Sequence, residues 1–102
     1  MEFYLIINAS CFITIFNVEV IVIPNEYQGK PVKYIADYAF QDFISLINIT
    51  IPSSETSIGK YSFSGCSSLT TVFYNGTKND WNKINIYTGN DSLISSTIYY
   101  YS

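Results

Sequence analysis

The side chains of this sequence that could carry out acid–base chemistry are its eight carboxylates. They are Glu2, Glu19, Glu26, Glu55, Asp37, Asp42, Asp80 and Asp91. Glu26 and Glu55 each follow a proline that ends a predicted strand, so we expect these two carboxylates to lie near one another, and such a pair can do acid–base work. Histidine, a frequent general base, is absent, and no insertion is long enough to form a pocket. The sequence therefore predicts no enzymatic activity and no catalytic residue.

Metal, cofactor and nucleic-acid chemistry is not predicted either. The sequence has no cluster of ligand residues at metal-binding spacing and no glycine-rich phosphate loop, so we expect neither a metal nor a cofactor. Five lysines, no arginine and a net charge of −3 give no basic patch for a phosphate backbone, which argues against nucleic acid as a partner. Polar residues interrupt the apolar N-terminal stretch and no Lys or Arg precedes it, so we expect neither membrane insertion nor an export signal there.

Aromatic side chains crowd the C-terminal third of the chain, where they could stack on sugar rings. They are Tyr74, Trp81, Tyr87, Tyr99, Tyr100 and Tyr101. The alternative is that Trp81 fills the core of the last unit and that the tyrosines cover the edge of a closing strand. Both interpretations stay open at this point.

The elements that must position these residues are set by an internal repeat, in which apolar residues recur at a constant distance of 23 positions. The matching pairs are Ile35 and Ile58, Phe40 and Phe63, Phe43 and Cys66, Leu46 and Leu69, and Ile49 and Val72. A period of this size is typical of a solenoid, in which each unit buries its apolar face by stacking on its neighbour. This architecture favours binding over catalysis as the role of the chain.

The two cysteines, Cys11 and Cys66, could pair in principle, but they do not form a Cys-x-x-Cys redox motif. Cys66 occupies the repeat position that Phe43 holds in the preceding unit. We therefore expect Cys66 to be a buried, unpaired thiol that fills space in the core.

The repeat predicts three matching strands over residues 20–23, 48–51 and 71–74, and the first two end at a proline that stops the ladder. Short single-turn helices are predicted over residues 36–42 and 60–65. The first unit carries five extra residues, which include Gly29 and Pro31, so this insertion is predicted to be a turn.

Further elements are predicted at the two ends of the repeat. A helix is expected over residues 77–83, with Thr77 as its N-cap, and a closing strand over residues 96–101. Two apolar segments, residues 3–8 and 11–16, are expected to be strands that cap the open end of the stack.

Alternation along the repeat strands separates the residues that face the core from those that face outward. The inward columns are Ile21, Ile49 and Val72, and Ile23, Ile51 and Tyr74. The outward columns are Val20, Asn48 and Thr71, and Val22, Thr50 and Phe73. Exposed apolar groups on a solenoid sheet can anchor a partner, so these six outward residues are the candidate partner-binding site. The alternative is that the N-terminal cap strands cover Val20 and Val22.

The repeat resembles the BspA-like, or Treponema-type, leucine-rich repeat. From Ile49 to Val72 it reads Ile-x-Ile-Pro, then Ser-Ile-Gly-x-x-x-Phe-x-x-Cys-x-x-Leu-x-x-Val, and residues 72–93 are similar to the C-terminal unit of that family. The resemblance covers about residues 20–101 and implies an α/β fold: a short right-handed solenoid with a parallel sheet on one face, short helices or turns opposite, and a cap at both ends. The sequence differs from the family pattern in having two full repeats and in carrying Ala36 and Phe43 in place of Gly and Cys.

We interpret residues 1–102 as a single leucine-rich-repeat domain, with N-terminal cap strands in 1–19, two full repeats in 20–70 and a terminating unit in 71–102. The resemblance implies a cell-surface or secreted protein of a bacterium or protist that binds host, matrix or cell-surface proteins. We therefore expect a non-enzymatic protein–protein interaction or adhesion module that binds through its sheet face. The alternatives are a carbohydrate-binding module and a purely structural cap of a longer array. An open last strand could also pair with a second chain.

Overall fold

The structure, a computed structural model, describes residues 5–7 and 19–101, and of residues 5–7 it describes the backbone alone. Short strands dominate this part of the chain, and each of its two helices has four residues. In chain order the elements are β1 (Leu5–Ile7), β2 (Val20–Val22), β3 (Glu26–Tyr27), β4 (Lys30–Ile35), β5 (Asn48–Ile51), β6 (Ser57–Ile58), β7 (Thr71–Tyr74), α1 (Lys78–Trp81), β8 (Asn85–Ile86), α2 (Asp91–Ile94) and β9 (Thr97–Tyr100).

The strands form two parallel sheets, and each turn of the chain adds one strand to each sheet. The first sheet has the order β2-β5-β7-β9, and the second has the order β1-β4-β6-β8, with β3 paired antiparallel to β4. The predicted α/β leucine-rich-repeat solenoid with a parallel sheet on one face is confirmed. The second sheet adds to that prediction, because the short extended pieces that lead into each turn pair with one another.

The register of the first sheet follows the 23-residue period. Asn48 pairs with Thr71, and Thr50 pairs with Phe73. The closing strand β9 adds one more row in the same register, since Thr97 lies opposite Thr71. Side chains one period apart therefore lie directly above one another, as the inward and outward columns require.

The inward columns form the core of the solenoid. The largest fully buried side chains among residues 19–101 are Tyr74, Phe40, Phe63, Ile23, Ile35, Leu46, Ile49, Ile51, Ile58, Leu93 and Val32. Phe40 and Phe63, one period apart, stack with their ring centroids 5.3 Å apart. Each turn thus buries apolar side chains against the next turn, and this burial stabilises the short strands.

The segments predicted to be short helices, residues 36–42 and 60–65, are turns instead. Tyr38 and Tyr61 lie at the same repeat position and have φ angles of 60° and 57°. A left-handed residue ends a right-handed helical turn, because L-residues continue a helix only at negative φ. The helix prediction was wrong at both places for this reason.

The insertion in the first unit forms a β-hairpin. Strands β3 and β4 are joined by Gln28 and Gly29, whose φ angles are 53° and 78°. Positive φ at both central residues is the geometry of a type I′ turn, which suits a two-residue hairpin loop. The prediction of a turn at Gly29 is confirmed, and the stack beneath it keeps its register.

The elements at the two ends agree with the sequence where the structure describes them. The Thr77 hydroxyl accepts a hydrogen bond from the Asp80 amide at 3.1 Å and so caps α1, as predicted. Strand β1 lies within the first predicted cap strand and pairs in parallel with β4, which makes it a member of the second sheet. The second predicted cap strand, residues 11–16, lies outside the described residues.

Candidate functional site

The outward side chains of the first sheet form the surface that the sequence proposed as a partner-binding site. We call this surface the outward face; it comprises Val20, Val22, Asn48, Thr50, Thr71, Phe73, Thr97 and Tyr99, together with Tyr101 just beyond β9. The structure brings the six predicted residues together, because their strands are neighbours in the sheet. Thr97 and Tyr99 extend the same two columns by one row, and Tyr101 follows just beyond β9.

One end of the outward face carries a cluster of aromatic rings. Phe73 stacks on Tyr99 with ring centroids 5.6 Å apart and lies 6.2 Å from the ring of Tyr101. Tyr99 and Tyr101 are about half exposed, at 50% and 54%. Three rings that pack on one another offer a large, rigid apolar area at low entropic cost to a partner.

The opposite end of the outward face is aliphatic. Val20 and Val22 are 54% and 60% exposed. The alternative that the N-terminal cap strands cover them concerns strands that lie almost wholly outside the described residues. The residues between the two apolar ends are polar: Asn48, Thr50 and Thr71 are partly exposed. The face therefore combines apolar anchors with hydrogen-bonding groups, which is the usual make-up of a protein-contact surface.

The aromatic residues considered for sugar binding are divided by the structure. Tyr74 and Trp81 are buried, and their rings meet edge to face at 5.2 Å, so both belong to the core. Tyr87 is exposed but lies just after β8 in the second sheet. The C-terminal aromatics therefore do not form one surface.

The two carboxylates considered for acid–base chemistry have different surroundings. Glu26 lies on the exposed hairpin, whereas Glu55 is only 4% exposed and neither of its carboxylate oxygens has a hydrogen-bond partner. Burial raises the pKa of Glu55 to about 8. Glu55 lies at the repeat position of the buried Val32. Its burial favours the protonated form at neutral pH, whereas Glu26 is exposed, so the two carboxyl groups have unlike surroundings.

Cys66 behaves as the sequence predicted. It is a free, buried thiol whose Sγ donates to the Phe40 carbonyl at 3.1 Å. Burial is the main reason that the pKa of Cys66 rises to about 11, so the thiol stays protonated at neutral pH and is a poor nucleophile. Cys11 lies outside the described residues.

A second aromatic stack was missed by the sequence reasoning. Tyr38 and Tyr61 lie 23 residues apart on the turns between the sheets, and their rings stack at 5.6 Å with an angle of 8°. A Cβ atom at position 89 would clash with the Tyr61 ring, so Gly89 allows the backbone to pack directly against this stack. The matching repeat positions of the two tyrosines were the signal that could have predicted this pair.

Asn90 is another residue whose role the sequence did not show. It is 1% exposed, and its Nδ2 donates to the carbonyls of Gly59 at 3.0 Å and Tyr87 at 2.8 Å. These bonds join the last turn to the one before it. Since the side chain is saturated by internal bonds, Asn90 serves the fold and is not available to a ligand.

Two general features limit the chemistry of the described part of the chain. No group of three or more His, Cys, Asp or Glu side chains among residues 19–101 is placed to hold a metal ion. Within the described elements, neither α1 nor α2 has the length or apolar character to cross a membrane.

Comparison with known proteins identifies the repeat. A family model described as the BspA-type leucine-rich repeat region (6 copies) matches residues 5–100. A solved leucine-rich repeat protein of T. pallidum is similar over 56% of this chain at 30% identity, with a TM-score of 0.51. A leucine-rich cell-surface protein of Faecalibacterium prausnitzii is similar over 81% of this chain at 24% identity, with a TM-score of 0.60. The chain spans 30% and 23% of the lengths of those two proteins. No curated protein sequence matches it.

Proposed function

This chain belongs to the BspA-type leucine-rich repeat family, and we propose that it is a non-enzymatic interaction or adhesion module that binds a protein partner through the outward face of its first sheet. The observation that carries the proposal is the aromatic cluster of Phe73, Tyr99 and Tyr101 on an otherwise polar and aliphatic sheet surface. Rings held in place by one another lose little freedom on binding, which makes them good anchors.

The kind of partner follows from the composition of this face. Its columns contain no charged residue, so recognition rests on apolar contact and on the hydroxyl and amide groups of Thr50, Thr71 and Asn48. A protein surface of mixed polarity supplies both kinds of contact. Such a partner is a host, matrix or cell-surface protein under the family resemblance, and the description of the F. prausnitzii relative as a cell-surface protein supports placing this module outside a cell.

The experiment that tests this proposal also distinguishes it from two other roles, carbohydrate binding and a purely structural role. Carbohydrate binding would use exposed C-terminal rings, either Tyr87, which lies apart from the outward face, or Tyr99 and Tyr101 on that face. A purely structural role in a longer repeat array would need neither surface. The structural role predicts no binding in either assay, whereas carbohydrate binding predicts a signal on a glycan array and none from a matrix protein.

The proposal is tested by surface plasmon resonance against a panel of extracellular matrix proteins and by a glycan array, with Phe73→Ala and Tyr87→Ala as paired variants. We expect binding to a matrix protein that Phe73→Ala weakens at least tenfold and Tyr87→Ala leaves unchanged. Urea unfolding of each variant checks that the fold is retained. Glycan binding that Tyr87→Ala abolishes would support the alternative, and no binding in either assay would contradict both.

A further inference from the structure

The outer edge of the first sheet ends in hydrogen-bonding groups that no described residue pairs. In a parallel sheet, each residue directs both its N–H and its C=O group toward the strand on one side. The next residue directs both groups toward the strand on the other side. The Tyr101 amide donates to the Tyr74 carbonyl at 3.0 Å, so Tyr101 and every second residue before it face β7. The backbone groups of Ile98 and Tyr100 therefore point to the open edge of β9.

The inward side chains of β9 are also less covered than those of the turn before. Val72 and Tyr74 are 0% and 1% exposed. Ile98 and Tyr100 continue the same two columns but are only partly buried. The apolar columns thus reach the edge of the sheet, and no described layer covers them there.

The sequence of β9 does nothing to prevent pairing at this edge. Residues 97–101 contain no charged residue and no proline, and their register with β7 is regular, without a bulge. Natural sheets usually protect an open edge with a charged residue, a proline or a bulge. Threonine, isoleucine and tyrosine also have high strand propensity, so this edge is suited to receive a further strand.

We propose that the strand received is β9 of a second copy of this chain, in a twofold antiparallel pairing centred on Tyr99. The free groups of Ile98 and Tyr100 are two residues apart, so an antiparallel second copy presents the same groups in the matching places. Ile98 then exchanges two hydrogen bonds with Tyr100 of the second copy, and the twofold axis repeats the pair. Four inter-chain hydrogen bonds result.

The side chains are compatible with this register on both sides of the sheet. On the inward side, Ile98 packs beside Tyr100 of the second copy, and this aromatic–aliphatic contact covers both partly buried side chains. On the outward side Tyr99 meets its own counterpart. No like charges are brought together across the strands, although each chain carries a net charge of −3. The pairing places two outward faces side by side, and it does not depend on what those faces bind.

Disulfide trapping tests the register directly. In an antiparallel sheet the residues of a non-hydrogen-bonded pair have Cα atoms about 4.5 Å apart, which is within the range of a disulfide. In a full-length chain carrying Cys11→Ser, we expect Tyr99→Cys to give a covalent dimer under mild oxidation. Thr97→Cys is the matched control, because it lies opposite Tyr101 of the second copy and has no cysteine to meet. Equal trapping of both variants, or none, would overturn the proposal.

Sedimentation velocity tests the association without a cross-link. We expect the unmodified chain to form a dimer as its concentration rises, and Tyr100→Pro to weaken the dimer at least tenfold, because the proline removes an edge N–H that makes no bond within the chain. Circular dichroism checks that this variant is folded. If it is not, Tyr99→Lys replaces it, because this change leaves every edge N–H and C=O in place but sets two positive charges opposite each other at the twofold axis. A chain that stays monomeric at every concentration, or a dimer that keeps its affinity in the folded edge variant, would refute the pairing.

Discussion

The side chain of Asn90 takes the place of a backbone carbonyl for Phe63. Its Oδ1 accepts a hydrogen bond from the Phe63 amide at 2.9 Å. One turn earlier the Phe40 amide, at the matching repeat position, donates to the backbone carbonyl of Ser62 at 2.8 Å. The hydrogen bonds that join each turn of the solenoid to the next therefore continue at the last turn, where a side-chain oxygen of Asn90 replaces the backbone oxygen.

Replacing Asn90 by Ala should destabilise the protein markedly. The substitution leaves the buried Phe63 amide without its acceptor and removes the bond to the partly buried Tyr87 carbonyl, whereas the Gly59 carbonyl still accepts from Ser62. Each unsatisfied buried group costs about 1–3 kcal/mol. We therefore expect urea unfolding to show a loss of about 3 kcal/mol. Asn75→Ala, at an exposed position just after β7, is the matched control and should change stability little. Equal unfolding midpoints for the two variants would contradict the role given to Asn90.

Gly59→Ala should also destabilise the fold, for a steric reason. An added Cβ would lie 2.5 Å from the Asp37 amide nitrogen and 2.7 Å from the Ala36 carbonyl carbon, and backbone atoms cannot move away as a side chain can. We expect a loss of about 2–3 kcal/mol in urea unfolding. Gly29→Ala is the comparison, because that site has open space but a φ of +78°, so only strain of about 1 kcal/mol is added. A larger loss for Gly29→Ala than for Gly59→Ala would show that close stacking is not the limiting factor.

The sequence predicted the features of the fold that depend on regular stacking. The period of 23 residues placed Val72 above Ile49, and the same period with the five-residue insertion of the first unit placed Ile49 above Ile21; the structure has this register. The insertion at Gly29 and the cap at Thr77 were also predicted, because turn and cap residues act through local backbone geometry. The outward position of the six candidate residues followed from the same alternation, while their role in binding stays a prediction.

The features that the sequence did not show depend on contacts between turns. Tyr38 and Tyr61 adopt positive φ angles that their residue type disfavours, so the residues around them looked helical. Glu55 was considered as the partner of Glu26 in a carboxylate pair, although it lies at the repeat position of the buried Val32 and is itself buried. No sequence pattern indicated the role of Asn90, because two of its partners, Phe63 and Gly59, are 27 and 31 residues away in the sequence. Tertiary packing decided each of these cases.

Phe63→Ala should remove most of the stability of this small domain. Phe63 is 0% exposed and stacks on Phe40, so the substitution leaves a cavity between two turns. We expect a loss of about 3–5 kcal/mol, measured by urea or thermal unfolding. Tyr61→Ala is the matched control: Tyr61 is also aromatic and stacked, but it is 38% exposed, so its loss should be clearly smaller. An unfolding midpoint that does not move in Phe63→Ala would count against the proposed core.

Glu55 should make the stability of the protein fall as the pH rises. The carboxyl is protonated in the folded state up to about pH 8, whereas in the unfolded chain it ionises near its ordinary pKa of 4.5. Between these values unfolding releases a proton, so stability decreases by up to about 1.4 kcal/mol per pH unit. The stabilising contribution is complete below pH 4.5 and is lost once the pH passes the folded pKa of about 8.

Glu55→Gln tests this dependence, because glutamine has nearly the same shape and no charge in either state. We expect the variant to lack the decrease between pH 4.5 and 8, so that it is more stable than the unmodified chain at the upper end of this range and similar to it at the lower end. Urea unfolding at several pH values measures both curves. Glu26→Gln, on the exposed hairpin, should keep the slope of the unmodified chain. If Glu55→Gln keeps that slope as well, another group is responsible, and the buried carboxyl is not the source of the pH dependence.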